Sequence, residues 1–164
     1  MIQRIQSIYF LIVVLLAVLL FFLPISTKII PVNPAKNISK DLTWKTDLYG
    51  TKKFENGTLV SNSANYVLLL LSVATGALTA IIIFLYRKRM MQMMLTRLCI
   101  LITTTFIAVD FFFSDALGKE YGADYKTIYL SGSYFPIIQI ILLVMAVRAI
   151  KKDEELVRSA DRIR

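Results

Sequence analysis

The sequence contains no histidine and only one cysteine. Without histidine, the chain cannot form a His-ligated haem, a His-based zinc site or a His general base. A single cysteine can form neither an intrachain disulfide nor a Cys-x-x-Cys redox pair. Clustered carboxylates and a glycine-rich phosphate loop are also missing, so we predict no enzyme activity, no catalytic residue and no metal or cofactor site.

The sequence is rich in apolar residues. They make up 57% of its 164 residues, and the mean hydropathy is +0.65. They are gathered into four long blocks separated by polar stretches, which is the pattern of a polytopic membrane protein. We therefore predict an all-α membrane protein, a four-transmembrane-helix bundle with a small β-hairpin-containing extracytoplasmic loop.

The apolar blocks set the predicted boundaries within a single integral membrane domain over residues 1–164. The spans cover about 5–23, 64–86, 91–113 and 133–150, with an outer loop at 24–63 and a tail at 151–164. Pro24 ends the first span because its ring cannot donate to the helical ladder. A cleaved signal peptide is the rival interpretation, but the residues around Pro24 offer no small-x-small cleavage site.

The outer loop carries a hairpin signal. Asn56-Gly57 lies between two β-compatible segments, and this pair suits the positive φ angles of a two-residue turn. Trp44, in the same loop, is predicted to lie at the level of the lipid headgroups, with a partner contact as the alternative.

The distribution of basic residues predicts the orientation in the membrane. Counting both termini and the 87–97 turn on one side gives eleven basic residues there and eight on the other, and all eight arginines are among the eleven. The positive-inside rule then places both termini in the cytoplasm and the outer loop on the opposite side, with anionic lipid rather than nucleic acid explaining the net charge of +8. The predicted topology and headgroup residues are Arg4, Arg87, Lys88, Arg89, Arg97, Arg148, Lys151 and Lys152.

Asp110 stands within the third apolar run, where a carboxylate is costly unless it is paired, hydrated or protonated. It is a candidate proton or cation site, and Gln139, Ser133 and Tyr134 could join it in a polar intramembrane cluster. The alternative is that Asp110 lies just under the outer headgroups and caps the following loop.

Small residues recur every four positions in the second apolar run, at Ser72, Gly76 and Ala80. They share one helix face and let a neighbouring backbone approach closely. We predict that this face packs against another helix, either within the chain or in an oligomer.

The two ends of the chain carry a resemblance. Residues 1–9 (MIQRIQSIY) and 152–164 (KDEELVRSADRIR) resemble those of a Bacteroidota family of small four-span inner-membrane proteins classed as a domain of unknown function. The resemblance covers the whole chain and implies a bacterial inner-membrane location and a four-helix architecture. It brings no activity and no catalytic residue.

Three function classes follow from these residues. The first is a non-enzymatic integral membrane subunit or scaffold that binds other membrane or envelope proteins, or a second copy of itself, through its outer loop, tail and helix faces. The second is a small ion- or proton-coupled transporter using Asp110. An enzyme ranks last, because no reactive constellation is present.

Overall fold

Four helices account for most of the computed structural model, which describes residues 3–30, 42–64, 66–86, 88–120 and 126–162. Long apolar runs produce them, and the last helix contains one proline, Pro136, near its start. Helix α1 packs against α2 and α4, and α3 packs against the same two helices, so the four enclose a common interior. The helices are α1 (Gln3–Leu19), α2 (Tyr66–Phe84), α3 (Arg89–Glu120) and α4 (Ser131–Arg162).

Among the described residues, three helical segments are long and apolar enough to cross a membrane: Tyr66–Phe84, Arg89–Asp115 and Ser131–Val157. These segments mark the chain as a membrane protein. The apolar helix Ile5–Leu19 is shorter. It ends before the predicted boundary at residue 23 because Pro24 has no N–H to donate to the carbonyl four residues earlier and its ring would collide with that carbonyl.

A five-stranded antiparallel sheet lies at one end of the helices, and the predicted all-α fold class is therefore wrong. The strand order is β4-β3-β2-β1-β5. Strands β1 and β5 directly adjoin apolar runs, and they pair across most of the chain length, so local sequence patterns did not reveal them. The strands are β1 (Ser26–Ile30), β2 (Leu42–Asp47), β3 (Gly50–Glu55), β4 (Thr58–Ala64) and β5 (Lys126–Tyr129).

The hairpin predicted around Asn56-Gly57 is confirmed as β3–β4. Asn56 has a φ of 48° and Gly57 a φ of 82°, so both turn residues take the left-handed conformation that a tight hairpin turn needs. This hairpin forms only one side of the sheet. The connection between α3 and α4 supplies the strand at the other side, β5, which pairs with β1.

The sheet and the helix ends share a hydrophobic core. Leu48, between β2 and β3, is in one buried cluster with Leu20, Leu68 and Phe106. Trp44 is buried on β2, with the Nζ of Lys53 5.5 Å from the centre of its ring. Its position at the level of the lipid headgroups stays a prediction. The sheet is thus packed onto the helices and is not a loose loop.

Several polar side chains lie in the interior between the helices. The buried residues of α3 and α4 recur at spacings of three or four, which is typical of a left-handed helix packing seam. Threonine hydroxyls on the helices find a hydrogen-bond partner in the backbone carbonyl one turn earlier, as Thr96 does by donating to the carbonyl of Gln92 at 2.7 Å. The buried residues of α3 are Gln92, Thr96, Cys99, Thr103, Phe106, Asp110 and Ser114. Those of α4 are Gly132, Pro136, Gln139, Leu143, Ala146, Ile150 and Asp153.

Candidate functional site at the helix–sheet junction

Asp110 lies on the buried face of α3, near the end that meets the sheet. Its side chain is only 6% exposed, and its Oδ1 atom has no hydrogen-bond partner. Leaving a buried acceptor without a donor costs about 1–3 kcal/mol, and more when the group is charged. Such groups are uncommon in native proteins, so each one calls for an explanation.

A buried lysine from the sheet interacts with this carboxylate. Lys28, on β1, is 1% exposed. Burial lowers the pKa of Lys28, while the carboxylates of Asp115 and Asp110 act in the opposite direction. Lys28 was not predicted as a site residue, because in the sequence it is one of several lysines in the outer loop. Its only signal was the strand alternation that puts Ser26, Lys28 and Ile30 on one face.

A cavity of about 150 Å³ opens between α3 and α4 beside Asp110. Its walls are mostly apolar or aromatic, and Asp110 is their charged member. Phe111, Tyr134 and Ile137 are each about half exposed, so the cavity borders the outer surface of the helices. The lining residues are Phe106, Ile107, Asp110, Phe111, Tyr129, Ser133, Tyr134, Pro136 and Ile137.

Hydrogen bonds fix the start of α4 to the residues before β1 and so hold the cavity in shape. The Ser133 hydroxyl donates to the carbonyl of Ile25 at 2.6 Å, and the N–H of Gly132 donates to the carbonyl of Pro24 at 3.2 Å. A Cβ on Gly132 would lie 2.7 Å from that Pro24 oxygen. Only glycine lets the two backbones approach this closely.

The structure brings together three of the four residues of the predicted polar cluster. Asp110, Ser133 and Tyr134 line one cavity. Gln139 is also buried, but its amide donates to the carbonyl of Val13 on α1, at 3.4 Å. Within the described ranges, no group of three or more Cys, Asp or Glu side chains is arranged to hold a metal ion.

A second buried aspartate, which in the sequence is one of several charged residues of the predicted tail, lies at the opposite end of the helices. Asp153 is 6% exposed, and its Oδ2 accepts a hydrogen bond of 2.7 Å from the Gln6 amide. The Arg89 guanidinium reaches the backbone carbonyl of Asp153 at 3.5 Å. These contacts join α1, α3 and α4 at the end remote from the sheet.

The basic residues predicted to contact lipid headgroups are grouped around this same end. Lys88, Arg97, Arg148, Lys151 and Lys152 are exposed there, while Arg89 is half-buried. Arg4 lies in the first turn of α1, and Arg87 falls outside the described residues.

A family model described as a domain of unknown function, DUF4293, matches residues 2–163. The chain belongs to the DUF4293 family. The resemblance to a domain-of-unknown-function family is thereby confirmed, and its Bacteroidota origin and four membrane spans stay predictions. No curated protein matches the sequence.

The small-residue face of this DUF4293 chain packs inside the molecule at Gly76. A Cβ on Gly76 would lie 3.3 Å from the Cβ of Ala17 on α1. Ser72 is buried one turn away, and Ala80 is half-buried. The close approach at Gly76 is therefore between α1 and α2 of one chain.

Strand β4 of the DUF4293 chain forms an open edge of the sheet. Every residue of β4 is exposed, and none carries a charge. The register with β3 shifts between Lys53 and Phe54, so Val60 is an extra residue in β4. Leu59 and Val60 are consequently adjacent apolar side chains, 57% and 55% exposed.

Proposed function

We propose that the protein is a non-enzymatic integral membrane subunit that binds an extended segment of another membrane or envelope protein along β4. The observation that carries this proposal is the uncharged, bulged edge strand with Leu59 and Val60 both exposed. Bulges redirect side chains and occur at functional edges of sheets. The exposed pair supplies apolar anchors for a partner strand.

The open backbone of β4 favours a protein partner over lipid. An edge strand presents unpaired N–H and C=O groups, which an added strand satisfies through main-chain hydrogen bonds. Hydrocarbon chains offer no such partners, so burial of this edge in the bilayer would leave backbone groups unsatisfied. Lysines and prolines commonly protect sheet edges, and β4 contains neither.

The bacterial inner membrane, with both termini in the cytoplasm and the sheet outside it, is the location that we propose. The arrangement of arginines supports it: all eight are at or near the termini or between residues 87 and 97, where α3 begins, and none is in a sheet-forming connection. Arginine and lysine accumulate in cytoplasmic segments of membrane proteins. The exposed basic residues of that face would bind anionic lipid headgroups.

The test is site-specific photo-crosslinking of the full chain in its native membrane. A crosslinker at Val60 should give an adduct with another protein, and Leu59→Lys should reduce its yield about tenfold by placing a charge at the edge. A crosslinker at Lys88, exposed at the far end of the molecule and outside the tail, is the control.

The outcomes separate the possible occupants of β4. If the adduct joins two copies of the chain, the occupant of β4 is a second copy and not a different protein. A yield at Val60 no higher than at Lys88, or one unchanged by Leu59→Lys, would overturn binding along β4.

The second candidate function is a small ion- or proton-coupled transporter. The buried Asp110 carboxylate, with one unpaired oxygen and Lys28 nearby, favours it. In proteoliposomes, Asp110→Asn should abolish cation movement driven by a pH gradient while leaving the fold intact. Equal fluxes in the two proteins would exclude Asp110 as the coupling group.

A further inference from the structure

We propose that the cavity between α3 and α4 binds the primary-ammonium headgroup of a membrane phospholipid, with Asp110 as the acceptor and Ser133 beside it. This site lies away from β4, and its test does not depend on any partner of that strand. The proposal follows from the cavity's size, its depth in the membrane and the chemistry of its walls.

The size of the cavity suits a small headgroup and excludes a whole lipid. A cavity of about 150 Å³ has room for a group as small as ethanolamine, and it is smaller than the roughly 300–1,000 Å³ of pockets that enclose drug-sized ligands. The rest of the lipid must therefore lie outside the cavity. Phe111, Tyr134 and Ile137 border the cavity, are each about half exposed, and offer an apolar surface for the glycerol and acyl portions.

The position of the cavity matches the depth of lipid headgroups. Tyr129 is the last residue of β5, and Ser133 and Tyr134 are in the first turn of α4, so the cavity lies where the apolar helices meet the sheet. Tyrosine side chains favour this interfacial region because they join an apolar ring to a polar hydroxyl.

Two polar groups at the cavity, from Asp110 and Ser133, can accept hydrogen bonds. Asp110 has a carboxylate oxygen without a donor. Ser133 gives its proton to Ile25, which leaves its hydroxyl oxygen able to accept. Lys28, which interacts with Asp110 electrostatically, does not line the cavity. A primary ammonium has three N–H donors and a positive charge, so it complements both acceptors, whereas the trimethylammonium of choline has no donor and is bulkier.

The experiment is a lipid competition followed by native mass spectrometry. The full-length protein in mild detergent receives equal amounts of phosphatidylethanolamine and phosphatidylcholine with identical acyl chains. We expect about a tenfold preference for the ethanolamine lipid, which corresponds to one good charge-assisted hydrogen bond. Asp110→Asn keeps the shape of the side chain and should remove most of that preference.

A matched pair of variants tests the cavity without changing Asp110. Ile137→Trp fills the cavity from α4 and should abolish the preference. Ile138→Trp adds the same bulk at the next position, which is 41% exposed and does not line the cavity, and should leave it unchanged. The proposal would be overturned if the unmodified protein retained the two lipids equally, or if the two tryptophan substitutions had equal effects on the lipid preference. Neither of these measurements requires that the Asp110→Asn variant folds.

Discussion

Two aspartates at opposite ends of the molecule are buried to the same extent but differ in their hydrogen bonding. Asp153 and Asp110 are each 6% exposed. Asp153 accepts a short hydrogen bond from Gln6, whereas the Oδ1 of Asp110 accepts none. The hydrogen bond of Asp153 has a structural explanation, because it joins α1 to α4. Asp110 lacks such an explanation and lines a cavity, which makes it the better functional candidate.

The largest effect on stability is expected from Gln6→Leu. This change leaves the Asp153 carboxylate buried without its donor, and a hydrogen bond to a charged group contributes about 1.5–3 kcal/mol. We expect a loss of about 3 kcal/mol in the free energy of unfolding, measured by reversible SDS titration with circular dichroism. Ile8→Leu, at an exposed position of the same helix, should change little. If Gln6→Leu lowers the free energy of unfolding no more than the control does, the hydrogen bond to Asp153 does not stabilise the fold.

Gly132→Ala is expected to cost about 2 kcal/mol, since its methyl group would be forced against the Pro24 carbonyl. Gly76→Ala is the matched control. Its new methyl group would meet only the Ala17 methyl, at 3.3 Å, and alanine is the better helix former. The unfolding temperature should therefore fall more for Gly132→Ala than for Gly76→Ala. Equal decreases would show that the backbones at the junction between α4 and β1 can move apart to accept a methyl group.

Asp110→Asn should change stability by about 1 kcal/mol or less, because Oδ1 has no hydrogen bond to lose and only the attraction to Lys28 is removed. The same SDS titration applies. If Asp110→Asn proves more destabilising than Gln6→Leu, the sheet-end aspartate is the structural one and the comparison reverses.

The smallest effect is expected in the alkaline pH dependence of unfolding. Because burial lowers the pKa of Lys28 from 10.5 in the folded state, the unfolded chain holds more protons between the two pKa values. The free energy of unfolding should therefore rise with pH between the folded-state pKa and 10.5. Lys28→Met should flatten this part of the profile. An identical slope in that variant would assign the pH dependence to another group.

Patterns that are local in the sequence predicted part of this structure correctly. Hydropathy located the apolar helices, the Asn56-Gly57 pair located a hairpin, and a charge within an apolar run drew attention to Asp110. Each signal depends on residues within a few helical turns or one strand pair.

The features that were missed depend on contacts between distant residues. Lys28 gains its importance from acids on α3, and Asp153 from an amide near the N-terminus. Neither residue is unusual within its own segment, where Lys28 resembles a loop lysine and Asp153 a tail acid. The fold class was wrong for the same reason, because β5 can be recognised only through its pairing with β1.

That pairing also fixes an order of events during biosynthesis. In the sheet, Ser26 pairs with Tyr129, so one side of β1 stays open until the ribosome has made the third helix and the strand after it. The hairpin β3–β4 needs only its own neighbourhood and can form much earlier. In a chain truncated before residue 126, β1 would therefore replace β5 as the open edge opposite β4, and the cavity between α3 and α4 would be absent.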